Sequence, residues 1–298
     1  MRGQTWLAPA SALLLAVLPV AAHDSPDDVI HALTHRLEAH GASARLLTAR
    51  AFEHQALRQW EAALADFAAA LELQPHYAPA LTGSAQVFLH QRAWAEATRV
   101  AREGLAQAEG AAAEGAFHAL LARIHAGQEK WIEALADWRA ALRSPQPEID
   151  WYLGEAECLA RLGRHDDQVN ALARAMTRNP SVVLRRSWIR ALVDAGQTDL
   201  ASNEIARGLA AARWKSSWLL LHARVQAQRG EPVEAGAAAA AALTEIRGRL
   251  NPARADPWLE AEAAEAQALL GGQLRPPVPL YPPTGDAGVP STRSHHHH

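Results

Sequence analysis

From Ala44 to Pro75 the chain reads ARLLTARAFEHQALRQWEAALADFAAALELQP, and its apolar and small residues recur at helical spacing. Leu47, Ala51, His54, Trp60, Ala63, Phe67 and Ala70 collect on one face of each of two helices, which leaves Arg45, Arg58, Glu61 and Asp66 outside. Pro75 ends the second helix. A pair of helices this short cannot cover its own apolar faces, so the pattern predicts neighbours on both sides.

The same unit returns with starts near Ala44, Ala78, Gly115, Ile149, Val182 and Ser216, at intervals of 34, 37, 34, 33 and 34 residues. Each first helix carries a small site at Ala51, Ala85, Ala122, Ala156 and Ala223, with Ile189 departing. Each second helix opens on another at Ala63, Ala97, Ala134, Ala201 and Ala235, with Gln168 departing. Phe67, Trp138, Leu172 and Ile205 supply bulk, and a third small site holds Ala70, Gly104, Ala141, Ala175, Gly208 and Ala242. Small residues let helix backbones approach, and the bulky neighbour fills the groove beside them. Trp60, Trp94 and Trp131 keep the repeat phase, which favours packing anchors over sugar-stacking platforms. The longer interval falls in Ala108 to Glu114, as a lengthened loop or an extra helical turn.

Further helices are predicted at both ends of the array. Asp27 to Gly41 follows the start signal Ser25-Pro26 and stops at glycine, and Asp256 to Leu270 opens with Pro257 and stops at Gly271. Each reads as a cap.

A period near 34 residues with a helix, turn and helix in each unit resembles the tetratricopeptide repeat family over about Ala44 to Arg247. The resemblance implies an all-α, right-handed superhelical solenoid of antiparallel helix pairs, here six repeats between two capping helices. It also implies a concave groove lined by first helices, where a peptide or protein segment binds. By register that groove shows Arg45, Thr48, Phe52 and Gln55, then Thr82, Gln86 and His90. Later units add Arg123, then Asp150, Glu157 and Arg161, then Arg186, Arg190 and Asp194, then Arg224. Arg123, Glu157, Arg190 and Arg224 hold the same place in four consecutive units, either as a ladder of internal ion pairs or as a basic track for an acidic or carboxylate-ended peptide. The Lys and Asn set with which some family members hold a chaperone's terminal carboxylate has no match at these places.

The expected organisation is a signal peptide at 1–22, an N-terminal segment and cap at 23–43, six repeats at 44–247, a C-terminal cap at 248–272 and a Pro-rich tail at 273–294. The signal reading rests on Arg2, the apolar run Ala10 to Val20 and the small residues Val20-Ala21-Ala22, and it implies a periplasmic or secreted protein starting at His23. The run is too short to span a membrane well. The terminal residues His295 to His298 resemble a truncated purification tag and are set aside. With one cysteine, Cys158, no internal disulfide forms. A net charge of -3 gives no bulk attraction for nucleic acid or an anionic membrane.

No glycine-rich phosphate loop and no nucleophile-base arrangement occurs, so no catalytic residue or cofactor is expected, and a small-molecule substrate is not. Histidine is the anomaly. His31 and His35 share a helix face, and a mature terminus at His23 would pair an α-amine with an imidazole, a chelate suited to copper. The sequence therefore points to a non-enzymatic scaffold that binds another exported or envelope protein. The alternatives are an exported copper-binding protein using His23, His31 and His35, or an accessory subunit of an exported enzyme.

Overall fold

The computed structural model describes residues 25–251 and 256–272. The expected signal peptide, His23, the Pro-rich tail and the terminal histidines lie outside the described residues. The helices are α1 (Pro26–His40), α2 (Ala44–Ala56), α3 (Trp60–Leu73), α4 (Ala78–His90), α5 (Trp94–Ala106), α6 (Ala111–Gly127) and α7 (Trp131–Ala141). They continue as α8 (Ile149–Arg161), α9 (His165–Arg178), α10 (Val182–Asp194), α11 (Thr198–Ala211), α12 (Ser216–Gln228), α13 (Pro232–Arg249) and α14 (Pro257–Leu270). The fold is an all-α stack of antiparallel pairs.

Two compact units form, one ending at Gln74 and the other beginning at Pro75. In the first, α1 packs on α2 and α2 on α3. Ser25 caps α1 reciprocally: its hydroxyl accepts from the Asp28 N–H at 3.3 Å, and the Asp28 carboxylate accepts from the Ser25 N–H at 3.2 Å. The Ser25 hydroxyl, which also donates to the Asp28 carboxylate at 2.8 Å, and then the Ser25 N–H hold that carboxyl below its usual range. Leu33, Leu47, Ala51, Ala63, Phe67 and Ala70 form the core. Asp66, read from periodicity as an outer residue, is instead buried, because Arg50 reaches it from α2 with two bonds of 2.7 and 2.6 Å.

In the second unit each helix packs on the next from α4 to α14. The small sites explain how. Ala85, Ala122, Ala156, Ile189 and Ala223 are all buried, as are Ala97, Ala134, Gln168, Ala201 and Ala235. At the third site the next unit's first helix inserts a large side chain. A Cβ on Gly104 would stand 2.1 Å from the Phe117 ring, and one on Gly208 would stand 2.3 Å from the Trp218 ring. Trp94 seats on Gly127, and Trp138 on Gly154, in the same way. Of the tryptophans that open second helices, Trp94 is thus a packing anchor, and Trp131 packs half-buried against the core around Trp138. The long interval is an added helical turn, for α6 begins at Ala111 rather than Gly115.

Every unit bends its chain at one backbone position. The residue two before the second helix has a positive φ in all six units: Arg58, Arg92, Glu129, Gly163, Gly196 and Gly230, between 56° and 77°. A left-handed residue there reverses the chain within three residues, and glycine adopts it without steric conflict.

Candidate binding surface

Within the second unit the first helices touch one another in succession, α4 to α6, α6 to α8, α8 to α10, α10 to α12 and α12 to α14. Among the described residues the second helices α5, α7, α9, α11 and α13 make no such succession. The first helices therefore line the shorter, inner side of the stack.

The residues at the shared place on this inner side are Gln86, Arg123, Glu157, Arg190 and Arg224. Gln86 is half-buried on α4. The Arg123 guanidinium stands 3.9 Å from Asp150 and 5.9 Å from the Trp138 ring centre. Glu157 is exposed and accepts from Arg161 at 2.8 Å, while Arg161 also lies 5.2 Å over the Trp131 ring. Side-chain exposure then falls from 48 % at Glu157 to 15 % at Arg190 and 6 % at Arg224.

The fall has a cause in α14. Its Glu265 accepts from Arg224 Nε at 2.5 Å and stands 3.9 Å from Arg190. Glu262 accepts from Arg186 at 3.2 Å and from the hydroxyls of Ser216, at 2.9 Å, and Ser217. Of the two arrangements compatible with the arginine spacing, internal ion pairs are the one present at Arg186, Arg190 and Arg224. These three belong to the protein's own charge network. Burial lowers the Arg190 pKa against the opposing pull of Glu265. Burial also raises that of Asp194, outweighing the attraction of Arg224, Arg190 and His165.

In the first unit Arg45 is exposed on α2, and Phe52 packs edge-on against Phe67 with ring centres 5.3 Å apart while remaining 38 % exposed. His31 and His35 are exposed on α1. Among the described residues no group of three or more His, Cys, Asp or Glu is arranged to hold a metal. Cys158 is buried, and desolvation, with Glu157 and Glu155 adding to it, pushes its thiol up to about 12. It is an inert core group. His118 and His125 are half-buried, and their Nδ1 atoms lie 3.0 and 2.9 Å from the two oxygens of Asp137.

Periodicity missed two sets of residues. Asp66, Asp137 and Glu204 each occupy the seventh position of a second helix in alternate units, and each meets bases from the preceding helix. Glu262 and Glu265 lie in α14, which its start and stop signals mark only as a cap. The signal was available: α14 carries three glutamates and no basic residue.

The stack matches solved structures. A tetratricopeptide repeat protein from Parabacteroides merdae superposes with a TM-score of 0.53 at 13% identity, covering 81% of this chain and 92% of that one. The fold is that of a tetratricopeptide repeat array. PilW, a widely conserved type IV pilus biogenesis factor, aligns at TM-score 0.54 and 18% identity over 70% of this chain and 98% of its own. Pseudomonas aeruginosa PilF aligns at 0.53 and 16% over 82% and 99%. No family model and no curated protein sequence matches the chain. Identities this low make the likeness one of fold.

Proposed function

We propose that this tetratricopeptide array is a non-enzymatic scaffold that binds a segment of another protein along the inner side of its second unit. The observation that carries this reading is the succession of contacts among first helices alone, which gathers one row of side chains from several units onto a continuous surface. The open part of that surface lies on α4, α6 and α8, with Gln86, Arg123, Glu157 and Arg161. Its polar side chains alternate in charge, which suits a segment bearing both signs more than a purely acidic one. Arg45 and Phe52 offer a separate contact on the first unit.

The reading places the protein in the periplasm or outside the cell, on the strength of the first 22 residues. Its partner is then another exported or envelope protein.

The test is copurification from the native host, comparing wild type with an Arg123→Glu/Arg161→Glu variant of equal helicity by circular dichroism. Loss of a specific partner in the variant is the expected result. An unchanged set of copurifying proteins would refute the assignment. N-terminal sequencing of the recovered protein tests export, with His23 as the expected first residue.

A further inference from the structure

α14 stands where the first helix of a seventh unit would stand, and among the described residues no second helix follows it. Its apolar seam is narrow. Leu259, Ala266 and Leu269 are its buried hydrophobic residues, and Ala266 and Leu269 pack with Leu220, Ala223, Ala238, Ala239, Ala242 and Leu243 of α12 and α13. Five of the eight buried residues in that cluster are alanines. Beside that seam the seating is polar: Glu262 and Glu265, three residues apart and so neighbours on one helix face, meet Arg186, Arg190 and Arg224, and Glu262 also accepts from the hydroxyls of Ser216 and Ser217.

Pairs desolvated to this degree contribute little net stability compared with an apolar contact of the same size, but they discriminate strongly between correct and incorrect partners. Arg224 and Glu265 are both buried. An arginine row of this kind rejects a neutral or basic helix, which would leave guanidinium groups desolvated without a counter-charge. It accepts carboxylates presented at a fixed spacing by a helix, where arginine's planar donor fork can be matched.

We propose that Arg186, Arg190 and Arg224 form a docking site for an acidic amphipathic helix carrying two carboxylates three residues apart. α14 is its resident occupant, and a partner's acidic helix competes with it. This rests on the reading of the inner side as a protein-binding surface and names the partner chemistry at its α10–α12 end. Because α14 is tethered, an external helix faces an effective concentration on the order of millimolar for a short connection. Binding is therefore weak until α14 is loosened or the partner also engages the open part of the surface.

The probe is a fluorescent peptide of residues 256–272, added to the full chain and to a Glu262→Gln/Glu265→Gln full chain. The variant should bind it at least tenfold more tightly than wild type, with affinity falling as salt rises. A peptide that itself carries Glu262→Gln and Glu265→Gln should lose at least tenfold. Equal binding of the charged and neutral peptides, or no gain in the variant, overturns the proposal. Should the variant lose helicity, hydrogen exchange on wild type decides: about 1 mM peptide should speed exchange in the protein's own α14 while α10 stays protected, and an unchanged α14 overturns the idea. Concentration-dependent dimers dissolved by the peptide would identify the competing helix as another copy's α14 and overturn the assignment to a partner. Loss of copurifying proteins in the Arg123→Glu/Arg161→Glu variant without any peptide exchange would leave the scaffold standing and remove only this site.

Discussion

Arg186 and Glu262 lie 3.2 Å apart although the whole of α11, α12 and α13 separates their helices along the chain. The contact exists because the inner side is the short side, so side chains two units apart come within reach across it. A double-mutant cycle with Arg186→Ala and Glu262→Ala should give a coupling of about 0.5–3 kcal/mol, measured by urea unfolding. Strict additivity would mean that the two side chains do not meet in solution.

Glycine inside a helix is ordinarily improved by alanine, by about 1 kcal/mol. Gly104 should behave in the opposite way, because the Phe117 ring occupies the place of its Cβ. Gly104→Ala is expected to destabilise by about 1–3 kcal/mol through overpacking. Gly236 in α13 has nothing within 4 Å of that place, and Gly236→Ala should raise Tm. Thermal unfolding of the two variants side by side checks the contrast in sign.

The turn between paired helices offers a test that involves no packing. Gly196 has a φ of +74° and open space around a would-be Cβ, so Gly196→Ala meets only backbone resistance, about 1–2 kcal/mol. At the same turn Glu129 holds the left-handed conformation with a side chain, at φ 59°. Glu129→Gly should be neutral or stabilising. Denaturant midpoints at constant slope would report both.

Burial raises the Asp194 pKa, so the native protein binds this proton more tightly than the unfolded chain does. Its favourable contribution is present below the ordinary carboxylate range near ~3.9 and is lost as pH rises through the raised native value. At neutral pH the charged group opposes folding, even with Arg190, Arg224 and His165 beside it and Glu265 opposing them. Asp194→Asn should therefore raise Tm at pH 7, with the gain shrinking as pH falls toward 4. A gain that grew on acidification would contradict the sign.

The helices were legible because close packing demands small residues at crossings, and Ala63, Ala97, Ala134 and their counterparts repeat at a regular interval. The caps were legible too, since Ser25 and Asp256 sit at helix starts and accept the first N–H groups. Charge placement was less so. Periodicity assigns Asp66 to the outside because it weighs each residue by its own polarity, whereas burial of a carboxylate depends on a partner sixteen residues earlier, Arg50. The arginines at Arg190 and Arg224 presented the same difficulty. Their register was readable, but their partner lies 75 and 41 residues further on, in a helix outside the repeat. The left-handed turn was readable in principle from Gly163, Gly196 and Gly230, and was hidden by Arg58, Arg92 and Glu129 at the same place.

The seventh position of the second helix alternates in character along the chain: Asp66, Val100, Asp137, Ala171, Glu204, Ala238. Its acids face Arg50, then His118 and His125, then Arg185. Each of these acids shares a helix pair with its base, so a break placed between pairs leaves all three matches whole, whereas a break between the two helices of a pair strands a carboxylate. Recombination that lengthens or shortens the array should therefore be tolerated better with joints at pair boundaries than with joints at the left-handed turns inside a pair.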